Sequence, residues 1–292
     1  MNSSVLLSIC LPVFNRKNKI LKFLNSIDFF DNIELLIIDD GSTQNIGELF
    51  NDKYKYKYKF KYIKTKNRGR SSAIFDAIKL SSGDYIMIMD SDDYFLPRGI
   101  EEIIKEIKNN TDIKCFVFGT EILKNGKKII NKPPKSLCTN LTKLRADYKV
   151  HGDLKEIVKK NIILKCLYQQ SYEYRFTPTS LIWSKLSEFV SCHTVDKCVA
   201  VKTYDSEGIS ASIEQVKFEN AGAFYDLFKR NMYSNSYNSF YFRLKSIIQY
   251  YRYSFSSNKK KKITFFNILF FVIGYLLYQA DNFRFKNKKR AH

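Results

Sequence analysis

The sequence predicts an α/β protein built on a mostly parallel sheet flanked by helices, with a helical, basic C-terminal extension. Three observations lead there. Short apolar runs alternate with helical periodicities over the first 120 residues. The runs are nearly continuously apolar instead of alternating with polar residues, as strands buried on both faces are. Finally, 12 of the 20 net positive charges fall in the last 67 of the 292 residues, and the segments there read as helices.

Residues 6–14 (LLSICLPVF) form the first strand, and Ile20, Leu21, Leu24 and Ile27 then recur at helical spacing. The apolar stretch 5–14 is short and interrupted by Pro12, so it reads as a strand and not as a signal peptide. Residues 33–38 (IELLII) form a second strand, stopped by Asp39-Asp40-Gly41-Ser42, and residues 60–63 a third. A helix follows over 70–80, with Ala73, Ile74, Ala77 and Ile78 on its inner side. Residues 85–89 (YIMIM) form a strand running directly into Asp90; a helix over 99–107 and a strand over 114–118 come next. Lys alternates with aromatics between 53 and 61, the pattern of a solvated edge strand protected by lysines. Further on, Asn125-Gly126 marks a hairpin turn, and helices are expected over 154–167, 220–231 and 240–253.

Hydrophobic content of 45% supports a packed core. The six cysteines form no C-x-x-C pair. Cys192-His193 with Cys198 lacks a fourth ligand at a zinc-like spacing, so the cysteines read as ordinary thiols.

In a parallel sheet, ligands bind beyond the carboxyl ends of the strands. Three polar clusters lie at such ends: Asn15-Arg16, Asp39-Asp40, and Asp90-Ser91-Asp92-Asp93. Carboxylates gathered at one strand end repel one another unless a cation sits among them. Oxygen-rich sites of that kind select hard ions such as Mg2+ or Mn2+. A carboxylate at Asp39-Asp40 would accept hydrogen bonds from a base N–H or from ribose hydroxyls.

Leu11-Pro12-Val13-Phe14-Asn15, Ile37 through Ser42, Asn67-Arg68-Gly69-Arg70, and Gly83-Asp84-Tyr85 through Asp93 occur in order over roughly the first 120 residues. Together they resemble the family 2 glycosyltransferases, which have a GT-A fold with a Rossmann-like sheet. The resemblance implies that Pro12, Val13 and Asn15 line a nucleotide pocket and that Asp39 or Asp40 contacts the base. Arg70 would lie near the donor, Asp90 with Ser91 near the ribose or sugar, and Asp92 would be the metal ligand. It further implies a nucleotide-sugar donor, a UDP-sugar first among them, and inversion by single displacement.

Residues 151–156, 175–183 and 204–213 resemble the members of this family found in bacterial surface-polysaccharide (lipopolysaccharide or capsule) clusters. Where many relatives carry an acid after the proline, this chain has Pro178-Thr179. Threonine is no general base at neutral pH, so Asp153 and Glu173 become the candidate bases. Trp183, the only tryptophan, suits either stacking on an acceptor sugar or a core position. The expected division is a catalytic domain over 1–215, with a nucleotide-sugar half (1–122) and an acceptor half (123–215), then a membrane-associating region over 216–292.

Residues 263–280 (ITFFNILFFVIGYLLYQA) are near the minimum length for a membrane span and have basic residues on both sides. They read as a helix lying in an anionic membrane surface, which suits a glycan acceptor linked to lipid and a place on the inner face of the cytoplasmic membrane. Two rival readings compete with this one. A nucleotidyltransferase would carry a glycine-rich loop after the first strand, yet residues 11–18 hold no glycine. A nucleic-acid-binding protein would draw on the charge, but the strand-end carboxylates would repel phosphate, so no nucleic-acid partner is expected.

Overall fold

The computed structural model describes residues 5–28, 30–50, 58–124, 126–167, 173–203 and 212–286. The first half runs β1 (Leu7–Val13), α1 (Lys17–Asn25), β2 (Ile33–Asp39), β3 (Lys59–Lys64), α2 (Arg70–Leu80), β4 (Tyr85–Ile88), β5 (Tyr94–Phe95) and α3 (Gly99–Asn109). There follow β6 (Cys115–Lys124), β7 (Lys127–Asn131), β8 (Cys138–Thr139), α4 (Leu141–Ala146), β9 (Lys155–Lys159), α5 (Lys160–Cys166), α6 (Ser180–Leu186) and β10 (Cys192–Thr203). Helices α7 (Ile213–Glu219), α8 (Ala221–Tyr233), α9 (Phe240–Ser256) and α10 (Ile268–Asp281) form the C-terminal part.

The sheet has the order β3-β2-β1-β4-β9-β6-β10-β5. Strands β1 to β4 are mutually parallel, β10 is parallel to β6, and β9 runs antiparallel to both of its neighbours. One core cluster packs α1 and α3 on one face, through Ile20, Phe23 and Ile103. A second packs α2, α5 and α6 on the other, through Ile74, Ile163 and Ile182. Apolar burial on both faces explains the near-continuous hydrophobic runs of β1 and β2, interrupted by Ser8 and Glu34, which hydrogen-bond each other.

The elements expected up to β6 fall within a few residues of their places. Lys59 and Lys61 are exposed on β3, which is the edge strand; residues 53–57 lie outside the described residues. The hairpin joining β6 and β7 pairs as far as Lys124 with Lys127, while Asn125 lies outside the described residues. Residues 204–211 of the second-half resemblance also lie outside them.

Two expectations are corrected. Residues 154–167 are not one helix: β9 pairs between β4 and β6, and only then does α5 begin. A short apolar run carries no period that separates a buried strand from a buried helix, and sheet pairing decides it. Likewise, residues 263–280 are not one helix. A 3-10 turn at Phe265–Asn267 precedes the 14-residue α10, and no helix among the described residues is long and apolar enough to cross a membrane.

Helix α10 packs on α9 along a narrow line. A Cβ at Gly274 would press on Tyr251, so the two helices approach closely there. Arg252 of α9 donates two hydrogen bonds of 2.7 Å to the Asp281 carboxylate, pinning the far end. A third cluster, with Leu181 of α6, Phe224 and Tyr251, ties these helices to the rest.

Candidate active site

Parallel pairing aligns the carboxyl ends of β2, β1 and β4. Val13 stands beside Asp39 and Cys10 beside Ile88, so Asp90 emerges level with Pro12. Over this edge opens a cleft of about 840 Å³. Pro12, Val13, Asp40, Arg70, Asp90, Ser91, Asp92 and Asp153 line it, as does Trp183.

Three of the expected residues stand elsewhere. Asn15, at φ 51°, accepts from the Thr43 amide at 2.8 Å and receives no place in the cleft wall; it braces the turn after β2. Asp39 is fully buried and accepts from Ser42 N–H at 2.8 Å and from the Tyr62 hydroxyl at 2.6 Å. Between the two adjacent aspartates, Asp40 is thus the one that reaches the cleft. Its oxygens accept from the amides of Arg68 and Gly69, both at 2.8 Å. Burial raises its pKa, and those amides work against the rise. Glu173 is exposed and lies outside the lining residues.

Gly69, at φ 98°, opens α2 against the segment that leads into α6. A side chain there would collide with the Arg175 carbonyl, which explains why glycine precedes Arg70.

The acidic turn is more than a carboxylate cluster. Arg70 donates from Nε to Asp90 Oδ1 at 3.0 Å and also pairs with it through Nη2. Lys202 of β10 donates to Asp90 Oδ2 at 2.9 Å and lies 3.7 Å from Asp93. Lys155 of β9 donates to the fully buried Asp93 at 2.8 Å. The expectation that repulsion here demands a metal is therefore corrected: protein cations already neutralise Asp90 and Asp93. Burial alone would raise Asp90, but Arg70 and Lys202 overcome it and hold the carboxyl well below its usual range. For Asp93 burial wins over Lys155 and Lys202, and its pKa is raised. Burial would lower Lys202, yet the two aspartates hold it above its ordinary value.

Asp92 differs from both. It is half-buried, lines the cleft, and its carboxylate has no hydrogen bond or ion pair among the described residues; its carbonyl accepts from Thr203 at 2.6 Å. No group of three or more His, Cys, Asp or Glu among the described residues could cage an ion. One carboxylate completed by substrate phosphate oxygens and waters is nevertheless a donor set that Mg2+ or Mn2+ accepts, so the residues fit such an ion.

Sequence reading missed Lys155, Glu156 and Lys202. They come from β9 and β10, and although residues 151–156 carry a family resemblance, no local period marks these strands. Glu156 lines the cleft with its side chain 12% exposed, and burial pushes its pKa up to about 7.

A cleft at the carboxyl edge of a mostly parallel sheet, with an acidic turn held by cations, defines an α/β protein whose candidate site lies at the strand ends. Residues 8–154 match the family described as Glycosyl transferase family 2. The chain belongs to this family. An uncharacterized glycosyltransferase of Rickettsia bellii is 36% identical over 123 residues, 41% of this chain and 18% of that protein. The hyaluronan synthase of Pasteurella multocida is 32% identical over 117 residues, 39% of this chain and 12% of that protein. The chain thus matches about a fifth or less of the length of these relatives. In fold it is similar to S. aureus TarS 1-349 in complex with UDP-GlcNAc, with a TM-score of 0.60 and 14% identity over 92% of this chain and 79% of that one. It is also similar to mannosyltransferase PcManGT of Pyrobaculum calidifontis in complex with GDP-Man and Mn2+, with a TM-score of 0.54 and 13% identity over 94% of this chain and 81% of that one.

Proposed function

We propose that the chain is a metal-dependent, inverting glycosyltransferase that moves a sugar from a nucleotide-sugar, a UDP-sugar first among the candidates, to a lipid-linked glycan in bacterial surface-polysaccharide synthesis. The observation that carries this reading is the Asp92 carboxylate, without a partner among the described residues, beside the Arg70–Asp90–Lys202 array at the strand edge where the cleft opens. The nucleotide-sugar complexes of the similar folds support the donor class.

In this reading Pro12, Val13 and Asp40 receive the nucleoside, and Asp90 with Ser91 faces the ribose or sugar. Asp92 would hold Mg2+ or Mn2+, which supplies charge neutralisation for the departing diphosphate. Arg70 and Lys202 keep Asp90 ionised and in one orientation. An acceptor hydroxyl attacks the anomeric carbon as the bond to the diphosphate oxygen breaks, and a cleft carboxylate takes the hydroxyl proton. Of the two acids singled out in the sequence, Asp153 lines the cleft and Glu173 does not. The test is nucleoside-diphosphate release from a panel of UDP- and GDP-sugars with Mn2+ or Mg2+. Metal-dependent release from one donor is expected; no release from any would refute the reading.

Residues 1–215 form the catalytic part of this proposal and 216–292 the part that meets the inner face of the cytoplasmic membrane. Phe265, Phe266 and Leu269 are 87%, 89% and 62% exposed, beside the Lys259–Lys262 run. Aromatics and basic residues on one surface suit an anionic bilayer interface. The chain is expected to co-sediment with vesicles of phosphatidylglycerol and phosphatidylcholine. Replacing Phe265, Phe266 and Leu269 together by Ser should weaken that partition about ten-fold or more, given the apolar area withdrawn. A chain that stays in the supernatant at low salt would remove the membrane from the proposal.

A further inference from the structure

We propose that Glu156 is the catalytic base that takes the proton from the acceptor hydroxyl, a role that rests on the transferase reading above. The case begins with the sheet. Strand β9 is hydrogen-bonded on both edges, to β4 and to β6, so its side chains hold their directions more rigidly than those of a loop. Alternation sends Ile157 into one core and Val158 into the other. Lys155 therefore shares the Ile157 face, where it meets Asp93, and Glu156 shares the Val158 face. The same strand thus steadies the acidic turn with one residue and offers a carboxylate to the cleft with the next.

Register places Glu156 close to the donor side. Ile157 pairs with Met87, which sets Glu156 opposite Ile88, two residues before Asp90. Along a strand that separation is about 7 Å, enough for a sugar ring to stand between the metal side and the base.

The surroundings suit proton transfer. From α4, Arg145 Nη2 lies 3.8 Å from Glu156 Oε1, too far for a hydrogen bond, and this is its ion pair among the described residues. Asp153 and Lys155 are its charged neighbours in its own segment. Strand β6 contributes the Cys115 thiol, which is itself pushed up and stays neutral. Strand β4 contributes apolar Ile88, and α6 contributes uncharged Trp183 and Ser184 to the same cleft. Glu156 is thus a dehydrated acid with no strong partner among the described residues, and its pKa of about 7 matches what a base working at neutral pH requires. Asp153, by comparison, is half-exposed, and its carbonyl is tied to Thr120 and Asn131 at 2.6 and 2.7 Å.

The chemistry balances without another reactant. The acceptor oxygen forms its bond to the anomeric carbon, the bond to the diphosphate oxygen breaks, and the hydroxyl proton passes to Glu156.

The experiment compares wild type, Glu156→Gln, Glu156→Asp and Asp153→Asn across pH, reading nucleoside-diphosphate release from the donor panel and UDP·Mn2+ affinity by calorimetry. Wild-type kcat/KM should fall below about pH 7 as the base becomes protonated. Glu156→Gln should lose about a hundred-fold or more in release, with UDP·Mn2+ affinity unchanged within about three-fold. Glu156→Asp should keep part of the rate with a displaced acid limb, and Asp153→Asn should keep the wild-type acid limb.

A second readout separates catalysis from support. The folded pKa of Glu156 lies above its ordinary value, so ionising it costs stability as pH rises through about 7. Glu156→Gln should therefore melt higher than wild type at about pH 8; a structural partner of Arg145 would melt lower. Retention of a tenth or more of the rate with an unchanged acid limb in Glu156→Gln would overturn the proposal. So would transfer of that loss to Asp153→Asn. Wild-type protein that releases nothing from any donor would instead overturn the transferase reading beneath it.

Discussion

Lys155→Met is expected to destabilise the fold by about 3–5 kcal/mol, the cost of removing one partner of a buried ion pair. Its Nζ donates to Asp93 at 2.8 Å, and neither side chain is open to water: Lys155 is 6% exposed and Asp93 not at all. Asp93 Oδ1 already has no hydrogen-bond partner among the described residues. With Lys155 gone, Lys202 at 3.7 Å is the nearer remaining cation, and it is shared with Asp90. The sign of the pH dependence follows. Asp93 is already raised by burial, and losing Lys155 raises it further. The variant should therefore lose most stability at neutral pH and recover as pH falls and Asp93 becomes protonated. Replacing both partners, as Lys155→Met with Asp93→Leu, should restore much of the loss because no unpaired charge is left behind. Urea unfolding of wild type and the two variants at two pH values is the measurement. A single variant as stable as wild type would show that the pair does not support the acidic turn.

Asp92→Ala should leave the fold intact and remove the metal-dependent part of nucleotide binding. The Asp92 side chain has no hydrogen bond or ion pair among the described residues, so its loss should change stability by no more than about 0.5 kcal/mol. Donor turnover should nevertheless fall about a hundred-fold or more, since a metal is worth several kcal/mol to a departing diphosphate. Calorimetry with UDP in the presence and absence of Mn2+ separates the terms: wild type should bind tighter with the ion, and the variant should bind alike with and without it. Asp93→Asn makes the contrasting control, because Asp93 faces Lys155 and not the cleft; it should alter stability and leave the Mn2+ effect in place. Equal Mn2+ enhancement in Asp92→Ala would remove Asp92 from the metal's donor set.

The sequence by itself determined the N-terminal part of the sheet. Strands β1, β2 and β4 are buried on both faces, so their apolar runs and the polar residues that end them are visible in linear order. Parallel pairing then brings those ends together with little further choice. Tertiary structure decided the rest. It separated Asp40 from Asp39, because the latter is consumed by Ser42 and Tyr62, contacts that no local pattern marks. It turned residues 155–159 into a strand, since pairing with β4 and β6 outweighs a helical reading of so short a run. Above all it gathered Arg70, Lys155 and Lys202, which lie as far as 132 positions apart in the chain, around two aspartates. Charge pairing across a sheet depends on which strands become neighbours, and strand order is a property of the fold and not of any window of sequence.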